Sequence, residues 1–327
     1  MRGKLPLVIV ILVGILPVFF IWTMDYLPFT DYPNHLVRVN IVKSYEASEF
    51  YRHYFSVDFF NGYLPIPNII FDLFVTKLLS FVPIDTAGRI FLCLYVLLSI
   101  SSVLLLCREI KADSEVVLMG YLPVIYSFFF NMALLNFIFS IPLVIFSIIA
   151  LLRFRRNGRP FYLIMITGLL ILVYLSHLFS FLLLSLILTG YSPLSKGKYR
   201  TVIYCLAFFC ITAIVIYLAQ NSFSVHQHPL QMKYKLNLLP LFFLSYPANN
   251  YDQTIGMLIL IIYTTGLLWM LISLLMNNRR MLILILVVLI LYLLLPFSSA
   301  SVTFIDARLL PFLILLILMA SNKCGKY

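Results

Sequence analysis

The sequence predicts an all-α, polytopic membrane protein with about ten transmembrane helices, and three observations carry that reading. Of its 327 residues, 63% are hydrophobic and only 11% charged, giving a mean hydropathy of +1.04. Runs of Leu, Ile, Val and Phe recur at lengths sufficient to cross a hydrocarbon layer of about 30 Å. The charges also separate by side. One set of connections holds 15 of the 23 basic residues against only Glu109, Asp113 and Glu115, a net +12, while the other holds 8 basic and 9 acidic residues.

The apolar runs fall at 5–24, 86–107, 115–131, 134–152, 161–176, 178–194, 201–219, 254–275, 281–296 and 308–321. An even number of crossings puts both termini on one side. The excess of Arg and Lys marks that side as cytoplasmic, so the expected location is the plasma (inner) membrane with the acidic loops outside. Clusters such as Arg153, Arg155, Arg156 and Arg159 then read as orientation signals and lipid-headgroup contacts, not as a nucleic-acid surface. The first run follows Arg2 and Lys4, as a signal peptide does. It is long, carries Trp22 near its end and lacks a small-x-small cleavage site, so a retained first helix is predicted. Cys93, Cys107, Cys205 and Cys210 lie in or at the ends of spans and Cys324 on the cytoplasmic side, a pattern of neither disulfides nor zinc.

The chain over 1–327 reads as one integral membrane domain with no soluble C-terminal domain. Two connections are long, 25–85 and 220–253, and both fall on the outer side, which marks that face as the working one. Within the first loop two amphipathic helices are predicted along the membrane surface. One starts at Pro33, with Asp31 placed as its N-cap; the other runs over 67–77 from Pro67. His177 marks the turn between the spans at 161–176 and 178–194, and Asn131 and Asn136 mark the turn before them.

Ionisable groups are costly in such a chain, so those on the outer face are candidate functional residues. Asp31, His35 and Arg38 fall at i, i+4 and i+7 on one side of the first amphipathic helix, and Asn68 and Asp72 repeat the i, i+4 spacing on the second. Together with His177, Asp306 and Arg308 they form a set able to bind a divalent cation or a phosphate, or to activate a hydroxyl nucleophile. Each has a structural alternative: an N-cap worth about 1 kcal/mol for Asp31, a buried histidine for His177, an ion pair with Asp306 for Arg308. His226 and His228 have metal-like spacing but sit alone on a loop, and the Phe and Tyr residues read mostly as lipid-facing bulk and interfacial anchors. No nucleotide-binding or hydrolase fingerprint occurs.

Several of these features recur together: the helix end at Trp22 to Asp25, Asp31-Tyr-Pro-Asn-His-Leu-Val-Arg38, Pro67-Asn68 with Asp72, Leu135-Asn136-Phe137, Ser176-His177 and Ile305-Asp306-Ala-Arg308. In that combination the chain resembles a group of bacterial integral membrane proteins related to the GT-C class of glycosyltransferases. The resemblance implies a GT-C-like fold and transfer of a sugar from a polyprenyl-phosphate lipid to a glycan, lipid or protein acceptor outside the cytoplasm. It also implies an acid in the first outer loop as the catalytic or metal-binding group, by position Asp31, with Asp72 as the second acid. Many members carry an acidic pair there; here Asp31 is followed by His35.

The expected arrangement follows. Asp31 and His35 are the catalytic pair, with Asp31 oriented by His35 and taking the acceptor proton. Arg38, Asn68, His177, Asp306 and Arg308 bind substrate and phosphate, and Asp31 with Asp72 holds a divalent cation such as Mg or Mn where one is used. The alternative is a non-catalytic carrier or assembly subunit for lipid-linked glycans. That would favour polar groups lining the middle of the membrane, whereas the ionisable groups of this chain cluster at span ends.

Overall fold

The computed structural model describes residues 5–61, 64–112, 114–191, 279–295, 298–299, 302–303 and 306–321. The spans expected at 201–219 and 254–275, and the second outer loop with His226 and His228, lie outside the described residues.

Among the described residues the regular elements are helices apart from two minimal hairpins. Its helices are α1 (Leu5–Thr23), α2 (Tyr32–Ser44), α3 (Glu49–Tyr54), α4 (Ile70–Leu78), α5 (Ile84–Ile110), α6 (Ser114–Ile125), α7 (Phe128–Asn131), α8 (Leu135–Asn157), α9 (Pro160–Ser176), α10 (Leu178–Tyr191), α11 (Arg279–Leu294) and α12 (Leu310–Ser321). The hairpins pair Phe60–Asn61 with Leu64–Pro65 and Ser298–Ser299 with Val302–Thr303, both antiparallel. Every apolar run expected within the described residues is helical. Two of these helices, α5 with 27 residues and α8 with 23, are long and apolar enough to cross a membrane. The run expected at 115–131 is divided, α6 ending at Ile125 two residues after Pro123 and α7 starting at Phe128.

Two compact units divide the chain. One comprises Met1–Val10, Val103–Asn131 and Ser222–Tyr327; the other comprises Ile11–Ser102 and Met132–Asn221. In the first, α12 packs on α6 and on α11. In the second, α8 and α9 form the most extensive helix pair among the described residues, joined by a two-residue link. Gly158 ends α8 at φ 62°, the left-handed cap that glycine adopts without a Cβ penalty, and Pro160 opens α9 where its missing N–H costs nothing.

The core of this second unit is aromatic. Phe91 of α5 stacks on Phe139 of α8 at 4.6 Å and meets Phe71 and Phe74 of α4 edge-on at 5.0 and 5.4 Å. Phe71 in turn touches the His35 ring of α2 at 5.4 Å. These phenylalanines are therefore packing residues, in contrast to the lipid-facing role expected for most aromatics, and they tie the first-loop helices to α5 and α8. Gly88 lets α2 sit close to α5: a Cβ there would overlap the Tyr32 hydroxyl, which donates to the Asp85 carbonyl at 3.3 Å.

Candidate functional site

The first-loop candidates gather around α2 and α4. Asp31 does occupy the N-cap position of α2, with Pro33 in the first turn as expected, yet its side chain makes no capping hydrogen bond. Its backbone does the anchoring instead. The Asp31 amide donates to the Met132 carbonyl at 3.1 Å, and its carbonyl accepts from the His35 amide at 3.1 Å. The carboxylate, partly exposed, is thus held at a fixed place without being used by the helix.

Two turns beyond Asp31, Arg38 reaches from α2 to α4 and grips Asp72 through two parallel bonds, Nε to Oδ1 at 2.7 Å and Nη2 to Oδ2 at 2.8 Å. Such bidentate pairs fix both partners in position. The two ends differ in environment: the Asp72 side chain is 4% exposed and that of Arg38 is 46% exposed. Burial raises the Asp72 pKa, and the hydrogen bonds and charge of Arg38 oppose the rise. Arg38 thus favours the charged form of Asp72 against the cost of its burial.

His35 is engaged by the same assembly. Nη2 of Arg38 lies 3.2 Å from its Nδ1, and the Ala133 carbonyl forms a hydrogen bond with it. An arginine nitrogen can only donate, so Nδ1 is the accepting nitrogen and the imidazole is neutral. Burial first, and the Arg38 charge second, lower its pKa to about 4. The expectation that His35 orients Asp31 is accordingly revised: the hydrogen bonds found for the His35 ring go to Arg38 and Ala133. Ala133 is itself in the left-handed region at φ 53°, where a residue with a Cβ is strained, and its carbonyl also accepts from the Leu135 amide at 2.7 Å.

The second helix begins later than predicted. Asn68 adopts φ 66°, a conformation asparagine tolerates, so Pro67 lies outside α4, whose first residue is Ile70. The cap comes from a distant residue. Asn136, buried at the start of α8, accepts from the Phe71 amide through Oδ1 at 2.9 Å and donates from Nδ2 to the Asn68 carbonyl at 2.6 Å. Asn68 thus enters through its backbone, with its side chain exposed. The end of α9 supports the same loop: the Ile69 amide donates to the Leu175 carbonyl at 2.9 Å, and the Tyr174 hydroxyl to the Pro65 carbonyl at 2.7 Å. Asn136→Ala would leave the Phe71 amide without its acceptor. The expected cost is about 1–3 kcal/mol, together with faster amide hydrogen exchange across α4, measurable by mass spectrometry.

His177 is buried between α9 and α10 in extended backbone, its ring edge-on to Phe137 at 5.0 Å. Asp306 and Arg308 belong to the other unit. There Asp306 is fully buried, and its Oδ1 caps the short 3-10 turn Ala307–Leu309 by accepting from the Ala307 amide at 2.8 Å, the structural role a helix-start aspartate can take.

Among the described residues no three His, Cys, Asp or Glu side chains are grouped to hold a metal ion. Both oxygens of Asp72 already accept from Arg38 and its side chain is buried, so Asp31 is the more accessible acid of the pair for a cation.

The sequence reading missed a second polar centre in the same unit. Arg89, buried in the first turns of α5, bonds Asp85 at 2.5 Å, the Met24 and Asp25 carbonyls at 2.7 and 2.9 Å, and the Ile21 carbonyl. It thereby fixes the end of α1 to α5. The Asp85 to Arg89 spacing of i, i+4 was the available signal. Comparison of the chain with protein-family models, curated proteins and solved structures finds no match.

Proposed function

We propose that the protein is a membrane glycosyltransferase of the GT-C type, moving a sugar from a polyprenyl-phosphate lipid to an acceptor on the extracytoplasmic face. In this reading the chain crosses the inner membrane ten times with both termini cytoplasmic. The outward-facing apolar side chains of α1, among them Leu12, Val13, Leu16, Phe19 and Phe20, suit a lipid surround, as do Ile164 and Ile171 of α9 and Ile290 and Leu294 of α11.

The observation that carries the catalytic reading is the Asp31 carboxylate. It stands at a helix start whose cap it does not supply, two turns from an arginine whose guanidinium is clamped along one edge by Asp72. The two bonds to Asp72 use Nε and Nη2, which leaves the Nη1 edge of a half-exposed side chain for a phosphate. In the reaction Asp31 accepts the proton of the acceptor hydroxyl as that oxygen bonds to the anomeric carbon. The bond from that carbon to the phosphate oxygen breaks, and the polyprenyl phosphate leaves with its charge held by Arg38. His35, neutral and bonded on both sides, acts by holding Arg38 in place and is a positioning residue. A divalent cation, where the reaction uses one, would lie on Asp31.

The test is transfer from an undecaprenyl-phosphate-linked hexose in membranes containing the protein. Asp31→Asn should lower the rate about a hundredfold or more while leaving membrane insertion unchanged. Full activity in Asp31→Asn would overturn the assignment, and donor binding without transfer in the unmodified protein would favour the carrier reading.

A further inference from the structure

The end of α1 and the start of α5 enclose an open cleft of about 560 Å³, lined by Trp22, Asp25, Tyr26, Asp85, Thr86 and Arg89 among others. Its volume is within the range of small-molecule sites, about 300–1,000 Å³, and exceeds that of a monosaccharide. Nothing in the transfer chemistry assigned to Asp31 and Arg38 uses it.

The lining selects a class of ligand. Arg89 is the cation of the cleft, and its bonds are directed inward: Nε to Asp85, Nη1 to the Ile21 and Met24 carbonyls, Nη2 to the Asp25 carbonyl. What the cleft offers a visitor is therefore acceptor-rich, namely the two carboxylates of Asp25 and Asp85 and the Thr86 hydroxyl. Phosphates and carboxylates would meet like charge there. A neutral ligand with many O–H donors suits it, since each ionised carboxylate accepts several charge-assisted hydrogen bonds. Two aromatic rings supply the apolar complement. Tyr26 is 92% exposed, and Trp22, also exposed, has its indole steadied by a bond from Nε1 to Cys93 Sγ at 3.1 Å. Sugars present both surfaces, hydroxyl edges and C–H faces.

We infer that this cleft is a saccharide-binding site, in which Asp25 and Asp85 accept hydroxyl hydrogen bonds and Trp22 and Tyr26 pack against the ring faces. Arg89 positions it by holding Asp85 and the end of α1 in fixed relation. The inference stands on the cleft, and it rests on the transferase reading only for the origin of the sugar, which is either the lipid-linked donor or the acceptor glycan. The cleft also adjoins the head of α2, because Tyr32, the residue after Asp31, bonds the Asp85 carbonyl.

The chain has two tryptophans, Trp22 and Trp269, so Trp269→Phe leaves Trp22 as the sole indole reporter. The full-length Trp269→Phe protein, in lipid nanodiscs, is titrated with glucose, galactose, mannose and N-acetylglucosamine through the millimolar range, and indole emission is recorded. At least one sugar should give a saturable change, with the apparent Kd raised about tenfold or more by Asp25→Asn and by Tyr26→Ala. Neither substitution disturbs a bond of Arg89. Three results overturn the inference: no sugar of the set changes the emission; the change persists in both variants; or Mg²⁺ or Mn²⁺ alone produces it.

Loading the discs with undecaprenyl-phosphate hexose separates the sources, since competition with free sugar marks a donor site and an additive response marks an acceptor site. The transfer assay separates the two hypotheses. A missing sugar response with transfer intact removes the cleft alone, and a sugar response without transfer removes the transferase alone.

Discussion

Arg38→Ala is expected to cost about 3–5 kcal/mol of stability, well above the cost of Asp72→Ala. The asymmetry comes from burial. Asp72 is the buried member of the pair, so removing Arg38 strands an anion away from water, whereas removing Asp72 returns a half-exposed guanidinium to solvent. In detergent the loss should appear as a fall of roughly 10 °C in the unfolding midpoint for Arg38→Ala. The dependence on pH has a definite sign. Without Arg38 the already raised pKa of Asp72 rises further, and the folded state takes up a proton that the unfolded state does not, so its deficit is full above that pKa and eases as pH falls through it. His35 acts in the same sense. Its pKa of about 4 in the intact protein means that the stability of the neutral ring is fully present above about 6.5 and is lost as pH falls toward 4, and removing Arg38 lessens that loss. The gap between variant and parent should therefore narrow over that interval. Equal losses for Arg38→Ala and Asp72→Ala, or a gap indifferent to pH, would sink the account.

Much of the helical layout was legible because hydropathy alone carries it: wherever an apolar run was read within the described residues, a helix is found. Their lengths were less legible. A run of apolar residues does not reveal that α6 stops just after Pro123, inside the run read at 115–131, whereas the turn at His177 was read where it lies. The start of α2 was readable from Asp31 and Pro33, since cap and first-turn preferences are local. The start of α4 was not, because its cap is Asn136, 65 residues beyond the amide it binds, and no local signal encodes such a partner. For the site, the sequence singled out Asp31, His35, Arg38 and Asp72 as polar groups too costly to be idle. It could not give their pairing. Helical spacing grouped Asp31, His35 and Arg38, but the bonds found run from Arg38 across to Asp72, making one a clamp for the other. Arg89 was passed over for the opposite reason: an arginine one turn into a membrane-length helix looks like a helix-end residue until the carbonyls of Met24 and Asp25 are seen around it.

The same burial argument, with the charges exchanged, applies to Arg89 and Asp85. Here the cation is the buried member, 8% exposed against 50% for the Asp85 side chain, so Asp85→Ala is the substitution that strands a charge. The expected cost is about 3 kcal/mol, at the lower end for a broken buried pair, because the Ile21, Met24 and Asp25 carbonyls still hold the guanidinium. Arginine does not escape by losing its proton, so unlike the Asp72 case this deficit should be flat with pH across the neutral range. Arg89→Met should cost a different kind of energy. The carbonyls of Met24 and Asp25 lie at exposed residues and can turn to water, but α1 loses its attachment to α5, which should show as faster amide exchange over the last turn of α1. Once Arg89 is methionine, Asp85 is a solvated carboxylate with no buried charge to serve, and its removal should cost nothing more. A double-mutant cycle on the two sites should therefore return a coupling of roughly 2–3 kcal/mol, whereas additive losses would mean that the carbonyl cage alone stabilises Arg89 and that Asp85 is free to turn toward the cleft.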